Sequence, residues 1–118
     1  MDFEEVAHSH SQWKVRFRTA IYRKERLDAA VIGRDDCCLI GRWLYGEGAQ
    51  RFGASPAFRQ ARDRHRAFHR EAGAVAALIN AGRFAEAEAA LGNGTPYANA
   101  STEVVTALGA LRRLVPAG

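Results

Sequence analysis

The sequence predicts an all-α protein, an antiparallel four-helix bundle with a short second helix and a broken C-terminal helix. Three observations carry that expectation. Alanine, the strongest helix former, occurs 23 times and proline only three. Apolar residues recur in steps of three and four over long stretches, the spacing that lines one face of a helix. Glycine and proline gather in a few tracts that cut the chain into helical lengths, and no alternation of apolar and polar residues runs far enough to mark a strand.

The first segment, Asp2 to Val31, places Val6, His10, Trp13, Phe17, Ala20, Ile21 and Leu27 on one stripe, with no Pro or Gly to interrupt it. Gly33-Arg34-Asp35-Asp36 then reads as a turn, with Asp35 or Asp36 suited to cap the next helix. That second helix is short, Cys37 to Gly46. Gly46, Gly48, Gly53 and Ser55-Pro56 mark a loop. Pro56, whose missing N–H is not needed in a first turn, opens a third helix that runs to Ala81. Its stripe is Phe58, Ala61, His65, Phe68, His69, Ala72, Val75, Ala76 and Ile79, and Asn80-Ala81-Gly82 ends it. An Ala-rich helix follows from Phe84 to Leu91, and Gly92-Asn93-Gly94-Thr95-Pro96 breaks the chain. Ser101, Val104, Val105, Leu108, Leu111 and Leu114 mark a last amphipathic helix ending at Pro116.

At 118 residues and 12.9 kDa the chain is expected to form a single domain, 1–118. Hydrophobic residues at 47% and charged ones at 25% exclude a disordered tail, and no apolar run approaches the ~20 residues of a membrane span. The opening MDFEEVAHSH lacks the basic start and apolar stretch of a signal peptide, so the expected compartment is the cytoplasm. The formal charge of +4 comes from basic residues mixed with acids, as in RKERLD and RQARDRHR, which read as solvated helix faces. Neither nucleic acid nor membrane is expected as a partner.

The chemistry is carried by the histidines. His65 and His69 are four apart on the core stripe of one helix, so both rings project from the same face one turn apart and can serve one tetrahedral metal. His10 shares its stripe with Trp13 and Phe17 and points inward, while His8 lies off it. A lone core histidine is ordinarily a hydrogen-bonded packing residue. Three together beside a cysteine each need a polar partner, and a shared metal satisfies all of them. The cysteines are the neighbours Cys37 and Cys38, which do not easily close an ordinary disulfide. Near a helix start either thiolate is favoured by the helix dipole, and periodicity does not choose between them.

Three segments resemble the HxxW, CxxGxWLY and HxxFH motifs of the chemoreceptor zinc-binding (CZB) domain family. They are His10-Ser11-Gln12-Trp13, Cys38-Leu39-Ile40-Gly41-Arg42-Trp43-Leu44-Tyr45 and His65-Arg66-Ala67-Phe68-His69, in family order and spacing, 28 residues from His10 to Cys38 and 27 to His65. The resemblance implies a four-helix bundle and one zinc ion per chain held by His10, Cys38, His65 and His69. It also implies a cytoplasmic regulatory role, since the domain is usually fused to chemoreceptors or diguanylate cyclases, and in some members the zinc-bound thiolate responds to oxidants such as hypochlorous acid. Ile40 stands where the family usually has Leu or Phe. Cys37 is an extra thiol that can resolve an oxidised Cys38, replace it as a ligand or stand idle. The chain is expected to be a stand-alone copy of the domain, with its output running through a separate partner of that kind or through a homodimer.

Four protein ligands close the coordination sphere and leave no position for a catalytic water, so no enzymatic activity is expected. The leading reading is a sensor of zinc availability or of oxidants through the Cys38 thiolate. The alternative is a purely structural zinc bundle serving interaction or dimerisation. Trp13 and Trp43 are expected to pack around the site and keep it dry, and Gly41 to permit a close helix approach. Tyr45 either donates to the thiolate or packs in the core with its hydroxyl at the surface.

Overall fold

The structure is a computed structural model that describes residues 1–115; Pro116, the expected end of the last helix, lies outside the described residues. Eight helices and no strand form among them: α1 Phe3–Ser11, α2 Trp13–Arg23, α3 Ala29–Ile32, α4 Leu39–Tyr45, α5 Glu47–Phe52, α6 Pro56–Asn80, α7 Phe84–Ala90 and α8 Pro96–Leu114. The all-α bundle expected from the sequence is what these residues build.

Helix α6 is the spine. Its buried residues are Phe58, Ala61, His65, Phe68, His69, Ala72, Val75, Ala76 and Ile79, the full predicted stripe. It runs antiparallel to α8: Arg64 pairs with Glu103 at 3.1 Å, and one turn on Phe68 meets Tyr97 with ring centroids 5.7 Å apart. The α1–α2 rod also opposes α8, with Glu4 against Arg112 at 2.6 Å and Phe17 against Tyr97 at 5.8 Å. Phe17, Phe58 and Phe68 are fully buried where these elements meet, each stabilising the fold by roughly 1.5–3 kcal/mol.

The first predicted helix, Asp2 to Val31, is corrected into three pieces. Gln12 separates α1 from α2 but keeps helical dihedrals, its N–H reaching both His8 and Ser9 carbonyls, so the rod stays nearly continuous. The real end comes at Lys24, which turns left-handed (φ 56°) while the Glu25 N–H reaches back to the Ala20 carbonyl at 2.9 Å. A left-handed lysine costs about 1–2 kcal/mol, so the ending needs support from elsewhere. Asn80, at the end of α6, supplies it: its side-chain amide accepts from the Leu27 N–H and donates to the Leu27 carbonyl, both at 2.7 Å. Asp28 then caps α3 by accepting from the Val31 N–H.

Two further boundaries differ. The short helix starts at Leu39 rather than Cys37, because Cys38 has extended dihedrals and occupies the cap position. Asp35 and Asp36 do not cap it. Asp36 is held by Arg34 through two 3.1 Å bonds, and Asp35 accepts from the Tyr45 hydroxyl. The expected loop around Gly46 and Gly48 contains α5, which seats Gly48 directly on the Trp43 ring, where a Cβ would lie 2.7 Å from ring carbons. Helix α8 begins at Pro96, before the predicted Ser101, with Thr95 accepting from the Ala98 N–H.

Asn80→Ala removes both bonds to Leu27 and leaves a partly buried amide and carbonyl without partners. Thermal unfolding is expected to show a loss of roughly 1–3 kcal/mol; an unchanged midpoint would mean that the α2–α3 connection is held by something else.

Candidate metal centre

Three pieces of the local fold place the four ligand candidates. His65 and His69 stand one turn apart on the buried face of α6, at 0% and 4% exposure, and His10 faces them from α1 at 4%. Cys38, half-buried, arrives from the stretch leading into α4. One donor atom from each of the four lies within 4.8 Å of every other.

Backbone carbonyls orient two of the imidazoles. His10 Nδ1 lies 2.8 Å from the Val6 carbonyl and His69 Nδ1 lies 2.8 Å from the Ile32 carbonyl. A carbonyl only accepts, so both Nδ1 atoms carry the proton and donate, and each Nε2 presents a lone pair. His69 Nε2 sits 3.1 Å from His65 Nε2, and Cys38 Sγ sits 3.3 Å from His65 Nε2 and 3.7 Å from His69 Nε2. His10 Nε2 is buried and has no hydrogen-bond partner.

These spacings test the fit to a metal. Tetrahedral zinc, with bonds of about 2.0–2.1 Å to nitrogen and 2.3 Å to sulfur, has edges of roughly 3.3 Å between nitrogens and 3.6 Å between nitrogen and sulfur. The contacts around Cys38, His65 and His69 match those edges. The lone pair of His10, otherwise orphaned, supplies the fourth corner. His65 Nδ1 is also buried without a partner, so it is the one imidazole that no second hydrogen bond orients.

The electrostatics agree with this use. Burial lowers the pKa of all three histidines; His65 falls to about 2, with the neighbouring His69 and His10 charges adding to the effect. The rings are therefore neutral, as ligands must be. The Cys38 thiol shifts the other way. Burial pushes it up despite the opposing pull of the Gly41, Cys38 and Ile40 backbone amides, and the Asp35 charge adds to the rise. The sequence expectation that the helix start favours the thiolate is corrected here: desolvation outweighs the backbone, and a stable thiolate needs a cation in front of it.

The remaining predicted residues surround the centre at greater remove. Trp43 packs on Phe3 and Phe58, and Trp13 stacks near Phe17 with Arg16 over its face. The aromatic ring that touches the ligands is Phe68, 5.3 Å from His10 and 5.5 Å from His69. Tyr45 is half exposed and donates to Asp35; partial burial and that carboxylate push its pKa up to about 12. The Cys37 thiol points to Asp36 Oδ1 at 3.5 Å. His8 is exposed, off the stripe as expected. A Cβ on Gly41 would strike the Asp35 carbonyl, so this glycine serves the loop before α4 rather than a helix crossing.

The Val6 carbonyl could be foreseen one turn before His10. The Ile32 carbonyl could not, since it comes from α3 and depends on the approach of Gly33 to Gly73. There, a Cβ on Gly73 would lie 2.8 Å from the Gly33 Cα.

With the geometry in hand, residues 10–76 match the family described as the chemoreceptor zinc-binding domain. The match covers more than half of the chain, opens on His10 and contains Cys38, His65 and His69. No curated protein and no solved structure matches the chain. Together, the family and the donor set support one zinc ion as the metal of this centre.

Gly73→Ala must push the Gly33 backbone outward and with it the Ile32 carbonyl that orients His69. The expected result is a zinc affinity about 10–100-fold weaker in a chelator competition, with helix content retained. Native affinity would show that this carbonyl does not govern the ligand.

Proposed function

Since this chain belongs to the chemoreceptor zinc-binding domain family, we propose that it is a regulatory module. In this reading His10, Cys38, His65 and His69 hold one zinc ion and report either zinc availability or an oxidant. The observation that supports this most is the convergence of four donor atoms within 4.8 Å, drawn from α1, the start of α4 and α6. Bound there, zinc supplies the positive charge that stabilises the Cys38 thiolate and crosslinks three elements, with no open position for a catalytic water.

The residues themselves make the site responsive. Cys38 is half-buried rather than sealed, so a small two-electron oxidant reaches its sulfur. With a peroxide, the thiolate attacks one oxygen, the O–O bond breaks, hydroxide leaves and Cys38 becomes a sulfenic acid, a poorer donor. The three imidazoles remain fixed on α1 and α6, but the attachment of the α4 start is lost. The stretch from Arg34 to Cys38 is then tied to α4 by the Tyr45–Asp35 contact and braced within itself by Arg34–Asp36, both at the surface and therefore weak. Movement of this stretch relative to α6 is the signal we propose, read by a homodimer contact or by a chemoreceptor or diguanylate cyclase partner. No helix among the described residues is long and apolar enough to cross a membrane.

The test is an oxidant titration that follows thiol oxidation and zinc release together with a chromophoric chelator, on native, Cys37→Ser and Cys38→Ser chains. The native chain is expected to hold about one zinc and release it in step with oxidation, and Cys37→Ser to do the same. Cys38→Ser should hold zinc weakly and lose the oxidant response. Zinc retained while both thiols are fully oxidised would leave the purely structural bundle as the function.

A further inference from the structure

A cleft of about 140 Å³ opens beside the centre, between α1 and the start of α4. His10 and Cys38 form its inner wall, Leu39 stands at its apolar side, and Asp2, Glu5 and Ser9 line the α1 side. The last three follow at spacings of three and four, so they share one face of α1 and lead from its N-terminus toward His10.

The two carboxylates are differently held. Asp2 caps α1 by accepting from the Glu5 N–H at 3.1 Å. The Glu5 carboxylate has no ion pair or hydrogen bond among the described residues, whereas its neighbour Glu4 turns to Arg112 at 2.6 Å. Carboxylates alone would mark only a solvated rim. The further pointer is the cleft's own position: its lining includes two of the four ligands of the centre, His10, 4% exposed, and Cys38.

Resting on the zinc reading above, we propose that this cleft is the channel through which the centre loads and releases its ion, with Glu5 and Asp2 as a transient outer site for a hydrated divalent cation. No lysine or arginine lines the cleft, and its apolar Leu39 side concentrates the field of the two carboxylates. Glu5 and Asp2 draw in the cation and replace part of its water; His10 and Cys38 then take it over, the thiol proton passing to water in the cleft. Anions are repelled by the same pair of charges.

The test uses the metal-free full chain and zinc alone, with association followed in a stopped-flow competition against a chromophoric chelator and dissociation followed in excess chelator. The double variant Asp2→Asn, Glu5→Gln keeps the helix cap, because asparagine caps as well as aspartate. Loading is expected to slow by roughly tenfold at low ionic strength, with release slowed by a similar factor and affinity and stoichiometry unchanged. The deficit should shrink at about 1 M salt, where charges are screened beyond about 3 Å. Glu4→Gln, one charge removed outside the cleft, should load at the native rate. Leu39→Trp, which narrows the cleft without changing charge, should slow both directions at every salt concentration. Native loading in the double variant, equal slowing by Glu4→Gln, or weakened affinity with unchanged association would each overturn the channel while leaving the zinc centre intact. A native chain that takes up no zinc would overturn the centre itself, and the channel with it.

Discussion

Three neutral imidazoles and a thiol meet at one point in an apolar interior, and the rest of the molecule is arranged around holding them there. Each buried polar group costs of order 1–3 kcal/mol if left without a partner. The chain satisfies one nitrogen of His10 and one of His69 with backbone carbonyls. That same choice turns the remaining lone pairs toward each other, where hydrogen bonds alone do not satisfy them all. His10 Nε2 has none, and the His65 and His69 Nε2 atoms face each other at 3.1 Å. A cation resolves this concentration of lone pairs, which explains why burial that would otherwise destabilise the core is tolerated.

The packing follows from that demand. Helix α6 fixes two ligands rigidly because they sit within its own ladder, and α1 brings the third against them along a rod pinned to α8 at both Glu4 and Phe17. The cysteine is harder to place. The chain must leave α2, turn back and lie flat on α6 before α4 begins. Lys24 in the left-handed region ends α2, Asn80 clamps Leu27, and the Gly33–Gly73 approach lets the backbone come close enough for Ile32 to reach His69. A side chain at Gly73 or Gly41 would push away the segment that carries Cys38. The centre is therefore rigid on its histidine side and adjustable on its cysteine side, the asymmetry a switch at Cys38 needs.

How much of this the sequence discloses depends on the range of the contact. The buried face of α6 is legible residue by residue, because nine apolar or histidine positions keep one helical period with no competing signal. The ligand set follows from three motifs in order, and the structure brings those four residues together. The end of α2 is not legible: RKERLD has no glycine or proline, and the turn is imposed by Asn80 from 53 residues away. The α5 helix is hidden by Gly46, Gly48 and Gly53, which signal a loop locally, although Gly48 serves contact with Trp43. The Cys38 thiol is misjudged from sequence because a helix start suggests a low pKa, whereas burial, set by tertiary packing, pushes it up.

The central claim is that one zinc ion is held by three imidazole nitrogens and the Cys38 sulfur. X-ray absorption at the zinc edge on the purified, zinc-loaded chain reads this directly. The account predicts a four-coordinate centre with one sulfur at about 2.3 Å and three nitrogens at about 2.0–2.1 Å, with the sulfur shell lost in Cys38→Ser and kept in Cys37→Ser. A native spectrum with only nitrogen and oxygen neighbours, or a sulfur shell that survives Cys38→Ser, would contradict it.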